Sequence, residues 1–235
     1  MNILLFTDAD KLAADRVKVG GHRLAHLRSV LKVVEGDEIR VGELGGKLGR
    51  GTVLQLDNDT VTLAVAVDTA PPQKLPLSLV LALPRPKMLR RILRTVAELG
   101  IAQLHLINSY RVEKSYWGTP ALQASKIQDY FIQGLEQARD TIVPTVHIHK
   151  RFKPFVEDQL PALLSGKWGL AAHPGDYPLC PYNIARDTVL VIGPEGGFIP
   201  YEVEKLQQAG CEIVTLGSRI LRVENAVTSI VGRLF

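Results

Sequence analysis

Two stretches near the carboxyl end hold the residue types best suited to chemistry: Val189-Leu-Val-Ile-Gly-Pro-Glu-Gly-Gly-Phe198 and Leu216-Gly-Ser-Arg-Ile-Leu-Arg-Val-Glu-Asn-Ala226. In the first, a continuous apolar run breaks into a Gly/Pro loop, the pattern of a buried strand ending in a turn rich in accessible backbone. Ile192 closes that strand. Gly193, Gly196 and Gly197 then leave room for a ligand to lie against the main chain, and Pro194 stiffens the loop. Backbone N–H and C=O groups in such a loop read ring edges and hydroxyls without help from side chains. Glu195 suits either a bond to that ligand or a cap on the helix that follows. A tight strand-to-helix turn with no ligand is the plain alternative, and the second stretch argues against it. There Leu216 and Gly217 end another apolar run, Ile220 and Leu221 add apolar surface, and Arg219, Arg222 and Glu224 bring charge. A carboxylate accepts a proton, and an arginine steadies a developing anion or grips a phosphate. Arg222 and Glu224 also suit a salt bridge opening the last helix, where the carboxylate matches the helix dipole.

Both loops need elements to position them. A helical segment from Tyr201 to Gln208 and a strand from Glu212 to Leu216 connect them, so two strands leave the sheet at matching heights. That makes a ligand crevice at the carboxyl ends of an α/β sheet. Upstream, Leu77 to Leu83, Ala102 to Ile107, Thr145 to His149, Trp168 to Ala172 and Val189 to Ile192 read as strands. Lys87 to Leu99 and Ala121 to Arg139 read as helices. The first carries an apolar stripe at Met88, Leu89, Ile92, Leu93, Val96 and Leu99 and ends at Gly100. Strands alternating with helices predict a parallel α/β sheet, doubly wound on spacing alone.

Residues 1–69 read differently. His22 to Leu31 has helical spacing; β-branched runs follow at Glu38 to Glu43, Arg50 to Leu56 and Thr60 to Val67. Turns at Gly45 to Gly49 and Asp57 to Asp59 separate them, and a small antiparallel barrel with one helix fits best. Residues 70–76, with three prolines in seven positions, form the linker to a second domain over 77–235.

With 46% hydrophobic and 22% charged residues, the 235-residue chain has ample material for a core. No apolar run approaches the ~20 residues of a bilayer span. The start, Met1-Asn-Ile-Leu-Leu-Phe-Thr-Asp8, lacks a basic leader region, so a cytoplasmic protein without membrane attachment is expected. Cys180 and Cys211 fit free, reduced thiols. His22 and His26 lack a third ligand, so no metal is expected; His147 and His149 share one strand face, at the surface. There is no GxxxxGK[ST] phosphate loop, and the glycines at 45 to 51 lie between strands, which speaks against a dinucleotide site there.

Net charge is only +4, but its distribution is uneven. Cations gather at Arg23, Arg28 and Lys32, and again at Arg85, Lys87, Arg90, Arg91 and Arg94, opposite the apolar stripe of the first helix. Clusters of this kind suit a polyanion, or else a solvated helix face. Arg111 and Lys114 sit among Tyr110, Tyr116 and Trp117, rings that suit stacking on unpaired bases or, for Trp117 equally, buried packing.

The pair Gly-Pro-Glu-Gly-Gly and Leu-Gly-Ser-Arg-Ile-Leu-Arg-Val-Glu-Asn-Ala resembles the SPOUT superfamily of S-adenosylmethionine-dependent RNA methyltransferases, and within it the branch that methylates N3 of a uridine in 16S ribosomal RNA. His26 to Asp37 is similar to that branch's opening signature. Lys87-Met88 with Ala97-Glu-Leu-Gly-Ile101 is similar to its first catalytic-domain helix, and His173-Pro174 to its first cofactor loop. The resemblance covers nearly the whole chain. It implies a carboxyl-terminal trefoil-knot α/β domain, an exception to ordinary chain topology, and an amino-terminal PUA-like β-barrel that contacts RNA. It implies S-adenosylmethionine held by His173, Ile192, Gly193, Pro194, Glu195, Gly196, Gly197, Leu216, Gly217, Ile220 and Leu221. It also implies ribosomal RNA in the small subunit as partner and a homodimer formed through the knotted domain. Uracil N3 loses its proton only above neutral pH, so Glu224 is the candidate base and Arg222 the candidate stabiliser of the uracil anion. The resemblance makes Arg23, Arg28, Lys32, Lys87, Arg90, Arg91, Arg94, Arg111 and Lys114 candidates for RNA contact.

Three positions depart from the branch's pattern. Thr95 stands where it carries lysine, Asn225 where it carries threonine, and Glu136-Gln-Ala-Arg-Asp140 where it reads Glu-Gln-Ser/Cys-Gly-Arg. The departures fall on the acceptor side, while the cofactor loops match. Two further readings follow: a SPOUT enzyme acting on another RNA acceptor, and a non-catalytic RNA-binding or ribosome-assembly paralogue.

Overall fold

The computed structural model describes residues 2–235, in two compact units. The first takes in the chain up to Gln73 together with Ile132–Val143; the second comprises Lys74–Phe131 and Pro144–Phe235.

The first unit contains β1 (Leu4–Phe6), β2 (Lys11–Ala13), β3 (Arg16–Gly20), α1 (Gly21–His26), β4 (Glu38–Glu43), β5 (Leu48–Leu56) and β6 (Thr60–Thr69). A π turn (Leu27–Leu31) extends α1. The strands form a sheet in the order β1-β4-β5-β6-β3-β2, antiparallel except for the parallel pair β1–β4. Alternation sets its inner face: Val17 and Val19 on β3 and Val61, Leu63 and Val65 on β6 pack with Leu24, Leu27, Val41 and Val53. Among the described residues no pairing joins β1 to β2, so the ladder is an open sheet with two short edge strands rather than the closed antiparallel barrel expected. Strands of three residues, such as β1 and β2, are too short to show alternation in sequence.

The second unit begins with β7 (Leu75–Ala82), α2 (Pro86–Glu98), β8 (Ile101–Ile107), α3 (Ala124–Ala138) and β9 (Thr145–His149). The last residues of α3 belong to the first unit. Then come α4 (Phe152–Pro154), α5 (Leu160–Leu164), β10 (Trp168–Ala172), β11 (Thr188–Ile192), α6 (Pro200–Gln208), β12 (Cys211–Val214) and α7 (Val223–Leu234). A π turn (Phe155–Gln159) joins α4 to α5. Pro86 starts α2, where its missing N–H costs nothing, and Gly100 follows its C-cap at φ 71°. The stripe foreseen on this helix is buried at Leu89, Ile92, Leu93 and Val96.

All six strands of this sheet run parallel, in the order β12-β10-β11-β7-β8-β9. Every residue of β11 is buried, as a central parallel strand covered on both faces requires. From β7 the chain builds outward through β8 and β9, then crosses back to place β10, β11 and β12 on the other side. Such a reversal opens a crevice at the carboxyl ends of the strands. Among the described residues no helix is long and apolar enough to cross a membrane. Cys180 and Cys211 are buried free thiols; burial pushes Cys211 up to about 12.

His147 is exposed, as expected, but His149 is half-buried. It lies 4.6 Å, ring to ring, from Phe155, and its Nε2 is 3.1 Å from Nδ1 of buried His105 on β8. The His147 ring stacks on His105 at 4.7 Å. Burial, together with the neighbouring imidazoles and Lys167, brings His105 down to about 4.

Candidate functional site: a crevice at the carboxyl ends of three strands

Strands β10, β11 and β12 end side by side, and the loops that leave them line one crevice. His173 and Pro174 come from β10. Ile192, Gly193, Pro194, Glu195 and Gly197 come from β11, and Leu216, Gly217, Arg219, Ile220 and Leu221 from β12. The crevice therefore gathers ten of the eleven positions carried over from the cofactor loops. The eleventh, Gly196, sits in the same loop with its carbonyl accepting from the Arg111 guanidinium. Sequence reasoning passed over the apolar back wall of Ala172, Val214, Val223, Ala226 and Ile230. Its signal was the inward face of α7, where Val223, Ala226 and Ile230 recur at three- and four-residue spacing.

Local bonds explain the shapes of the loops. The Gly197 N–H donates to the Pro194 carbonyl at 2.8 Å, closing a tight turn that puts Gly197 at φ 71°, a region costly for any residue with a Cβ. The β12 loop is held by the Thr215 hydroxyl, 3.3 Å from the Gly217 N–H. The His173 N–H donates to the Val214 carbonyl at 2.9 Å, and the Cys180 N–H to the Thr215 carbonyl at 2.7 Å. These bonds tie the first loop to the third.

The two glutamates of this region are spent on the scaffold. Glu195 accepts from the Arg85 N–H at 3.0 Å, clasping the start of α2 rather than capping α6. Buried Glu202 does the capping: one oxygen accepts from the Ile199 N–H at 3.1 Å and the other from the Tyr110 N–H at 2.7 Å. One polar atom of a residue that lines the crevice is orphaned. His173 Nδ1 is buried with no hydrogen-bond partner among the described residues, and burial together with the Arg111 charge holds this imidazole below its ordinary value. An apolar slot edged by loop backbone fits a ligand with a flat heteroaromatic face and polar edges.

Arg219 lines the crevice, but the two candidates for the acceptor chemistry stand outside its lining. Arg222 is the exposed N-cap residue of α7 and Glu224 lies half-buried in its first turn; neither lines the crevice, and no ion pair joins them among the described residues. Of the cations, Arg23 is already engaged. It forms a two-pronged pair with Asp10 at 2.8 and 2.7 Å and donates to the Leu5 carbonyl, which holds the Asp10 carboxyl below its ordinary range despite burial. Arg28 donates to the Asp57 and Asn58 carbonyls, so it staples a turn. Arg94 lies over the Tyr130 ring at 4.9 Å. Lys32, Lys87, Arg90, Arg91 and Lys114 are exposed, as is Arg111 despite its bond to Gly196. Trp117 is half-buried, its Nε1–H donating to Asn108 at 3.0 Å.

Comparison with known proteins adds to this geometry. The profile of the RNA methyltransferase domain family matches residues 71–234. Ribosomal RNA small subunit methyltransferase E of Treponema pallidum is 30% identical over 96% of this chain and 87% of its own length. The protein of the same name from Synechocystis is 29% identical over 88% of this chain and 68% of its own. Among solved structures, the Neisseria gonorrhoeae enzyme of that name, bound to S-adenosyl methionine, superposes with a TM-score of 0.76 at 21% identity. The match covers 97% of this chain and 95% of that one. A Legionella pneumophila methyltransferase, also solved with its cofactor, gives 0.73 at 20% identity, covering 98% and 94%. The chain belongs to the RNA methyltransferase domain family and, within the SPOUT enzymes, resembles ribosomal RNA small subunit methyltransferase E.

Proposed function

We propose that this chain transfers the methyl group of S-adenosylmethionine to N3 of a uridine in 16S ribosomal RNA, in the cytoplasm, as a homodimer. One observation carries the reading: the loops after β10, β11 and β12 meet in an apolar crevice walled by main chain, in a chain whose relatives are named for small-subunit ribosomal RNA methylation. S-adenosylmethionine supplies an electrophilic methyl group on a sulfonium centre, which leaves the protein to bind, aim and manage one proton. Backbone groups of Ile192 to Gly197 and Leu216 to Leu221, with His173 on the wall beside them, would hold it.

The acceptor side falls to charged residues at the start of α7. Glu224 takes the N3 proton, and Arg222 steadies the negative charge that develops on the uracil ring. In this reading residues 1–69 act as a PUA-like RNA-binding module and 70–76 as a linker. The knotted catalytic domain then spans 77–235, with the exposed Lys87, Arg90 and Arg91 of α2 on the phosphate backbone.

Methyl transfer from labelled S-adenosylmethionine to undermodified small-subunit particles and to free ribosomal RNA, followed by nucleoside mass analysis, tests it. The expected product is 3-methyluridine, with Glu224→Gln slowing transfer far more than it weakens cofactor binding. A different methylated nucleoside would move the chain to another acceptor. Bound cofactor with no product on either substrate would make it an RNA-binding relative.

A further inference from the structure

We infer that Tyr110 is a stacking platform for an unpaired nucleobase next to the methylated nucleotide, an inference that rests on the RNA-methylation reading above. Tyr110 is 78% exposed. An aromatic side chain left this open forgoes the burial that usually stabilises one. Yet the backbone beneath it is fixed. The Tyr110 N–H donates to buried Glu202 at 2.7 Å, and the Asn108 N–H to the His149 carbonyl at 3.0 Å. The Trp117 indole clamps the Asn108 side chain at 3.0 Å, and the Val112 N–H closes back on the Ser109 carbonyl at 3.1 Å. A bare ring on a rigid turn loses little freedom when something flat settles on it.

Its position points to the partner. The next residue, Arg111, donates to the Gly196 carbonyl in the crevice loop, and a Cβ at Gly196 would come within 2.9 Å of the Arg111 Cδ. Glycine at 196 thus lets the arginine reach the loop, which ties the turn carrying Tyr110 to the loop that forms one wall of the crevice. Exposed Arg111 and Lys114 follow Tyr110 in the same loop and bring positive charge to it. A π face with cations alongside suits a single-stranded nucleic acid, whose base stacks while its phosphate meets the charge. An apolar protein surface would gain nothing from those cations.

The test compares wild type with Tyr110→Ala, Tyr110→Phe and Tyr110→Trp in two assays. One is equilibrium binding to undermodified 16S ribosomal RNA; the other is methyl transfer resolved into kcat and KM. Alanine should weaken RNA binding and raise the RNA KM by about tenfold, within the range for loss of one base–aromatic stack, while S-adenosylmethionine affinity and thermal unfolding stay unchanged. Phenylalanine and tryptophan should keep RNA affinity within about twofold of wild type, since each retains a π face. Equal RNA binding by alanine and wild type would overturn the inference. So would a phenylalanine variant as weak as alanine, which would assign the effect to the hydroxyl, or a lowered unfolding temperature in alanine, which would make the ring structural. If wild type binds RNA but transfers no methyl group, the functional reading fails while the binding series still decides Tyr110.

Discussion

The walls of the crevice and its rim are made of different materials. The walls are main chain and aliphatic side chains, locked by bonds such as Gly197 to Pro194 and His173 to Val214, with Glu195 and Glu202 already committed to the scaffold. The rim is made of charged groups that reach solvent: Arg219, which lines the crevice, and Arg222, which caps α7. A cofactor of fixed shape is best met by a surface that does not move. A flexible polyanion is best met by groups still free to bind it. The same division separates two arginine clusters: Arg23 in the first unit is spent on Asp10, while Arg90 and Arg91 on α2 are exposed.

Changes to committed groups should therefore cost stability, and changes to free ones should cost RNA affinity alone. The largest effect is expected at Glu202. Glu202→Ala leaves the part-buried Tyr110 and Ile199 N–H groups without their acceptor and an empty space where the buried carboxyl stood, and should lower unfolding stability in urea by about 2–3 kcal/mol. A loss under ~1 kcal/mol would mean the carboxyl is not the anchor assumed here.

Next comes acid. His105 sits at about 4 when folded against 6.5 ordinarily, so the contribution of its neutral ring is complete above 6.5 and fades as pH falls toward 4. Stability should drop by roughly 2 kcal/mol over that window, and His105→Leu should flatten that part of the profile. A variant that follows wild type down through the window would place the acid sensitivity elsewhere.

Third, Arg23→Ala should destabilise the chain by about 1–2 kcal/mol and leave the salt dependence of RNA binding alone. The smallest effect on folding, near zero, belongs to Arg90→Ala with Arg91→Ala. Here the slope of log affinity against log salt should shrink by about 0.7–0.9 for each phosphate that is no longer neutralised. Reversal of these last two outcomes would erase the distinction between spent and free cations.

Much of this division was legible in sequence, for identifiable reasons. Strands β10 and β11 announce themselves because central parallel strands are apolar without interruption, and the loops after them because glycine and proline punctuate so sharply. Short-range patterns failed where partners are distant or elements are brief. Nothing near Glu195 points to the Arg85 N–H it clasps from 110 positions away, and nothing near Arg23 points to Asp10. The helical stretch from Phe152 to Leu164 was missed because Pro154 and Pro161 break up its pattern, although Phe152, Phe155, Val156 and Leu160 are buried. Spacing also says nothing about which cations are already bonded, and for that reason Arg23 and Arg90 look alike until the chain is folded.

The central claim is that the crevice between the β10, β11 and β12 loops is the seat of the methyl donor. Ala226 lines its back wall from α7, so Ala226→Phe fills the slot while leaving the loops intact. Calorimetric titration of wild type and this variant with S-adenosylmethionine tests the claim directly. Wild type should bind saturably, with about a hundredfold loss in a variant that unfolds at the same temperature, the scale expected when an overfilled site costs ~3 kcal/mol. Equal binding by the two proteins, or none by wild type, would contradict it.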